Sequence, residues 1–155
     1  MEGLGRVLRE HPFFDGVAPA DLDQVVGCAM NVRFAADQYL FREGEVADRF
    51  YIVRDGRVAL EVYAPGRGPL VVDSAESGEI VGLSWLFPPH TWQLDARAVV
   101  PVRAVAIDGA CLRAKCDQNT RLGYLLMQRL SSVAHRRMHS ARMRLIDLYG
   151  DSRAG

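Results

Sequence analysis

The feature that most constrains this chain is a change in the spacing of its apolar residues, which happens twice. In residues 1–31 the spacing is helical: Val7-Leu8 lead to a turn at His11-Pro12, then Pro19-Ala20-Asp21 opens a segment carrying Leu22, Val25, Val26 and Met30. From about Asn31 the apolar runs become short and are separated by turn residues, at the intervals of an all-β sandwich or barrel. Phe50 to Arg54 and Val58 to Tyr63 flank Asp55-Gly56, a pair that tolerates the positive φ angles of a tight hairpin. Pro65-Gly66-Arg67-Gly68 marks the next reversal and Leu70-Val71-Val72 the next strand. Gly78 to Gly82, Leu94 to Val99 and Val102 to Ile107 complete the sheet-forming part. Asp108 is placed to cap a second helical block that reaches Tyr149 and breaks near Asp117-Gln118-Asn119. The expectation is one domain over residues 1–155, mainly β with flanking helices: a helical lead (1–31), a β unit (32–108), C-terminal helices (109–149) and a frayed tail (150–155).

A chain of 155 residues with 49% hydrophobic side chains buries enough surface to fold without a disulfide scaffold or a structural metal. Its three cysteines, Cys28, Cys111 and Cys116, are an odd number and lack the two-residue spacing of zinc or redox motifs, so they read as reduced thiols in a cytoplasmic protein. The first residues lack a basic stretch followed by an apolar run, and no run approaches the roughly 18 apolar residues of a membrane span. His135 and His139 stand four apart, yet no third ligand stands one turn away, so they read as a solvated face and no metal is expected. No nucleophile elbow and no phosphate-binding loop with its lysine is present, which argues against an enzyme.

Charge is balanced, with 19 basic and 19 acidic residues, so overall attraction to nucleic acid or to an anionic membrane is not expected. The distribution is uneven. From Asp117 onward seven Arg face three Asp, which reads as a solvated basic face of the last helix. That helix carries two apolar stripes. Leu122, Leu126, Leu130 and Val133 form one; Tyr124, Met127, Ser131, Ala134, Met138, Ala141, Leu145 and Leu148 form another in three- and four-residue steps. The second stripe fits a partner helix in a homodimer, and packing on the chain's own sheet is its alternative.

Phe41-Arg42-Glu43-Gly44-Glu45-Val46-Ala47-Asp48-Arg49-Phe50-Tyr51-Ile52-Val53-Arg54-Asp55-Gly56-Arg57-Val58 resembles the opening of the cyclic-nucleotide-binding domain family, catabolite-activator-like branch. His11-Pro12-Phe13-Phe14 is similar to the family's helical lead, and Gly78-Glu79-Ile80-Val81-Gly82 to the entry of its phosphate-binding cassette. The resemblance covers about residues 4 to 149. It implies an eight-stranded jelly-roll β-roll with helices at both ends and a last helix that often makes the dimer interface. It also implies a ligand site at Val81, Gly82, Leu83, Ser84, Trp85, Trp92, Gln93 and Leu94. Relatives of this branch that bind DNA carry a helix-turn-helix after the long helix. Residues 150–155 are too few for one, so no nucleic-acid partner is expected of this segment itself.

Within that resemblance the cassette departs from the family pattern. Leu83 stands where the family's Glu holds the ribose hydroxyl, and Trp92 where its Arg holds the cyclic phosphate. Gln93 and Leu94 replace the small residues that let backbone amides approach the phosphate. Arg97 is a substitute cation only on paper, because the family has a common non-ligand Arg at that position. Leu83, Trp85, Leu86, Phe87 and Trp92 leave three outcomes open: a filled pocket, a site for a different small molecule, or an exposed protein-docking patch running from Trp85 to Trp92. Some relatives carry haem or an iron–sulfur cluster, but His90 is the one His near the cassette and there is no N-terminal cysteine cluster, so no cofactor is expected. The functional expectation is a non-catalytic sensor or regulatory protein whose cyclic-nucleotide response is altered or lost. Its alternatives are a protein adaptor and a cyclic AMP or cyclic GMP module with an atypical cassette.

Overall fold

The computed structural model describes residues 2–154, side chains of 3–150 included. The lead begins with α1 (Glu2–Glu10), which buries Leu4 and Leu8. A short 3-10 turn, Pro12–Phe14, follows. His11 opens it by accepting a hydrogen bond at Nδ1 from the Phe13 amide (3.2 Å), and proline occupies the position where a missing N–H costs nothing. The next helix, α2 (Pro19–Val26), buries Leu22 and Val25 and ends at Gly27, whose amide donates to the Asp23 carbonyl. The helical stretch therefore stops before Met30, which lies in the first strand and is 54% exposed.

Eight strands follow: β1 (Ala29–Phe34), β2 (Tyr39–Phe41), β3 (Arg49–Asp55), β4 (Arg57–Ala64), β5 (Gly68–Glu76), β6 (Ile80–Val81), β7 (Asp95–Ala98) and β8 (Val102–Asp108). They make two four-stranded antiparallel sheets, ordered β1-β8-β3-β6 and β2-β7-β4-β5. This is the jelly-roll β-roll, and its interior is filled from both sheets by residues such as Phe50, Ile52, Val58, Leu60, Ile80 and Ile107. The expected hairpin at Asp55-Gly56 is not one. β3 and β4 belong to different sheets, and Gly56 turns the corner between them with φ 101°. A Cβ at Gly56 would lie 2.4 Å from the Pro101 carbonyl oxygen, so close approach as well as positive φ requires glycine there. The hairpin lies one strand later, where Ala64 of β4 stands opposite Gly68 of β5 across Pro65-Gly66-Arg67.

The second helical block starts as expected, with the Asp108 carboxylate accepting from the Cys111 amide (2.8 Å) at the start of α3 (Gly109–Gln118). It breaks at Asn119. The side chain there accepts from the Leu122 amide (3.2 Å) and donates to buried Asp21 (2.8 Å), fixing the break to α2. The long α4 (Thr120–Ala154) has 35 residues, roughly 52 Å at 1.5 Å per residue. Helix thus continues through most of the segment expected to fray, while Gly155 lies outside the described residues. Leu122, Leu126, Leu130 and Val133 are all buried against the domain, and Arg129 donates to the carbonyls of Phe13 (2.6 Å) and Asp15.

The reduced-thiol expectation fails for two of the three cysteines. Cys28 and Cys111 are joined by a disulfide that ties the entry of β1 to the first turn of α3. A pair plus one free thiol satisfies an odd count as well as three thiols do. Cys116 is free and half-buried, and burial pushes its thiol pKa up. Among the described residues no helix is long and apolar enough to cross a membrane.

Candidate functional site

The candidate site lies where the turn after β6 meets β4, β5 and the flank of α4. Gly82 leaves β6 with φ 102°, and a Cβ on it would sit 2.8 Å from the ring of Trp92. Glycine is what allows that ring to lie against the backbone. The Trp92 amide donates to the Glu45 carbonyl (3.0 Å), and its own carbonyl accepts from Gly44 (2.9 Å), so the strand-like pairing around Val46 and Thr91 turns the indole inward. There it stacks on Phe41 at 3.6 Å between ring centroids and 7° between planes, and is 5% exposed.

A cavity of about 290 Å³ remains beside this pair. Gly82, Leu83, Ser84, Trp92, Gln93 and Leu94 of the expected site line it, together with Phe41, Leu60, Val72 and Asp73 of the roll and Arg137 and Ala141 of α4. Of the two tryptophans expected in the site, Trp92 alone lines this cavity. The expected site residues Val81 and Trp85 do not line it. Val81 is buried in β6 opposite Tyr51. Trp85 turns under α3, with no solvent exposure. It stacks on Phe50 (5.1 Å), its ring lies 3.0 Å from where a Gly109 Cβ would be, and its carbonyl accepts from Arg113 (2.6 Å).

These placements correct the docking-patch expectation. Trp85 and Trp92 are both internal, in different parts of the core, and Phe87 is the exposed aromatic of the loop. Arg97 is a structural cation: it joins Glu61 (3.2 Å), a buried carboxylate, and Asp37 (2.9 Å), and it stands away from the cavity.

The cation that does line the cavity is Arg137, one of the arginines read from the sequence as a solvated run. It donates to the Ile80 carbonyl, and burial lowers its pKa against the opposing influence of Asp73 and Glu79. Asp73 accepts from the Ser74 amide (2.8 Å) and lies 3.9 Å from Arg144. No motif marks Arg137. The available signal was its position on the flank of α4 four residues before Ala141, which becomes meaningful once α4 is known to lie along β5. Among the described residues no group of three His, Cys, Asp or Glu side chains is arranged to hold a metal ion.

The second stripe of α4 is not packed on the chain's own sheet. Tyr124, Met127, Met138, Leu145 and Leu148 are 37–73% exposed, and Ser131 and Ala134 are exposed between them. Ala141 alone contributes to the cavity wall.

Residues 31–119 match the family described as cyclic nucleotide-binding domain. Over 146 residues the chain is 29% identical to the CRP-like cAMP-activated global transcriptional regulator of Mycobacterium tuberculosis, covering 94% of this chain and 63% of that protein. It therefore spans less than two thirds of the length of the curated relatives it matches. A solved Geobacter metallireducens GS-15 structure described as a cyclic nucleotide-binding protein superposes with a TM-score of 0.76 and 29% identity, covering 87% of this chain and 98% of that one. A cyclic nucleotide-binding domain from Methylobacillus flagellatus KT superposes with a TM-score of 0.79 at 16% identity, covering 94% and 82%, and shows the shared fold.

Proposed function

This chain belongs to the cyclic nucleotide-binding domain family, and from that premise we propose that it is a non-catalytic sensor module whose pocket takes a small molecule other than cyclic AMP or cyclic GMP. One observation carries the reading: the cavity is open at the position of the cassette, yet Leu83 and Trp92 line it where the family's polar anchors are expected. Hydrogen bonds to charged groups are worth about 1.5–3 kcal/mol each, so losing two weakens a cyclic nucleotide by roughly two to four decades. The module works as a homodimer through Met127, Ser131, Ala134, Met138, Ala141, Leu145 and Leu148 of α4. The same helix supplies Arg137 and Ala141 to the cavity, so occupancy and pairing act on one element. Regulatory character is also what the CRP-like relative's description states of that protein.

A second reading, a true cyclic AMP site with atypical anchors, is favoured by the identity with a regulator described as cAMP-activated. Isothermal titration with cyclic AMP and cyclic GMP decides between them. The proposal expects no saturable binding at micromolar concentrations, and micromolar or tighter affinity for either nucleotide contradicts it.

A further inference from the structure

We propose that Arg137 is the anion receptor of this cavity, and that its ligand is a small, largely apolar molecule with a single acidic group directed at α4. This rests on the ligand-pocket reading above and adds the chemical class of the ligand. A guanidinium has five N–H donors, and the hydrogen-bond partner of Arg137 among the described residues is one carbonyl, that of Ile80. No carboxylate of the described residues makes an ion pair with it within 4.0 Å. Asp73, the carboxylate in the same wall, is already held by the Ser74 amide and faces Arg144. Much of the remaining wall is Phe41, Leu60, Leu83, Trp92 and Leu94, and burial there outweighs the attraction of the nearby carboxylates Asp73 and Glu79, neither of which pairs with Arg137 directly, so its charge is only partly compensated. The planar fork of arginine suits a carboxylate or similar acid, which could accept two parallel hydrogen bonds.

The number of charges and the size follow from the same wall. Arg137 is the single cation lining it, so the site offers one complementary charge rather than the several that a polyphosphate calls for. Its volume, about 290 Å³, lies at the lower end of ligand pockets, which run from about 300 to 1,000 Å³. A one- or two-ring aromatic acid has the right dimensions, with its ring beside Trp92 and its acid toward α4.

The test is calorimetric titration of the full chain with 2-naphthoate and with its neutral counterpart 2-naphthamide. Wild-type protein should prefer the acid by about tenfold or more, the scale of a charge-assisted hydrogen bond. Arg137→Gln should remove the preference, Arg137→Lys should keep part of it, and Arg142→Gln, an exposed position on the same helix, should keep all of it. Should Arg137→Gln not fold, the acid-to-amide ratio of the wild-type protein remains a test by itself. Equal affinity for acid and amide overturns the assignment of Arg137 while leaving a ligand pocket in place. No binding of either probe at millimolar concentration overturns the proposal and counts against the pocket reading as well. Cyclic AMP binding that survives Arg137→Gln overturns the ligand class.

Discussion

The two halves of α4 have similar lengths and opposite surroundings. From Leu122 to Val133 one stripe is buried against the lead and the roll, with residues 0–4% exposed. From Met138 to Tyr149 the large apolar side chains are 44–67% exposed. Arg137 and Ala141 stand at the transition, against the cavity. The first half is part of the folding core, the second is a surface left uncovered by this chain, and the cavity lies where one becomes the other. Changes in the first half should therefore be read in stability, and changes in the second in association.

The largest effect is expected in the first half. Leu126→Ala removes a side chain that is 1% exposed and should lower unfolding free energy by about 2–5 kcal/mol in urea titrations. A loss below about 1 kcal/mol would mean that the helix is not docked as described. Breaking the Cys28–Cys111 bond comes next. It closes a loop of 83 residues, and Cys28→Ser with Cys111→Ser should cost about 2–5 kcal/mol, the usual range for a native disulfide. Thiol titration of the denatured, unreduced protein should find one free thiol, Cys116. Finding three would remove the clamp from the account.

In the second half the contrast should reverse. Met138→Lys with Leu145→Lys alters exposed positions and should change the stability of the isolated chain by no more than about 0.5 kcal/mol, while converting dimers to monomers by light scattering. Dimers that persist would show that this stripe is not the seam. The smallest expected effect is a pH dependence in the lead. His11 is 7% exposed and burial holds its pKa below the ordinary 6.5, so the unfolded chain binds more protons than the folded one just below that pH. Stability should fall as pH drops from about 7 to about 5.5, and His11→Asn should flatten that part of the profile. A profile unchanged by His11→Asn would remove the residue from the explanation.

The contrast between these regions also explains what was legible in the sequence. The order helix, roll, helix was, because apolar period is a local signal, and so were the Asp108 cap and the break at Asn119. Gly56 was misplaced because a corner between two sheets and a hairpin demand the same local backbone. What separates them is that β4 pairs with β7 and β5, a long-range fact. The disulfide was hidden because cysteine counting says nothing about which pair the roll brings together. For the site, residues on the turn after β6 and around Trp92 could be listed from the resemblance, and six of the eight line the cavity. Trp85 could not be sorted from Trp92, since the facing of each depends on register and on the space left by Gly82 and Gly109. Arg137 looked like one arginine among seven until the docking of α4 placed it against a largely apolar wall.

The measurement that tests the central claim most directly is native mass spectrometry of the protein purified from its own cells without added ligand. The account predicts a homodimer that releases, on denaturation, a stoichiometric small acid that is not a cyclic nucleotide. Stoichiometric release of cyclic AMP or cyclic GMP would contradict it.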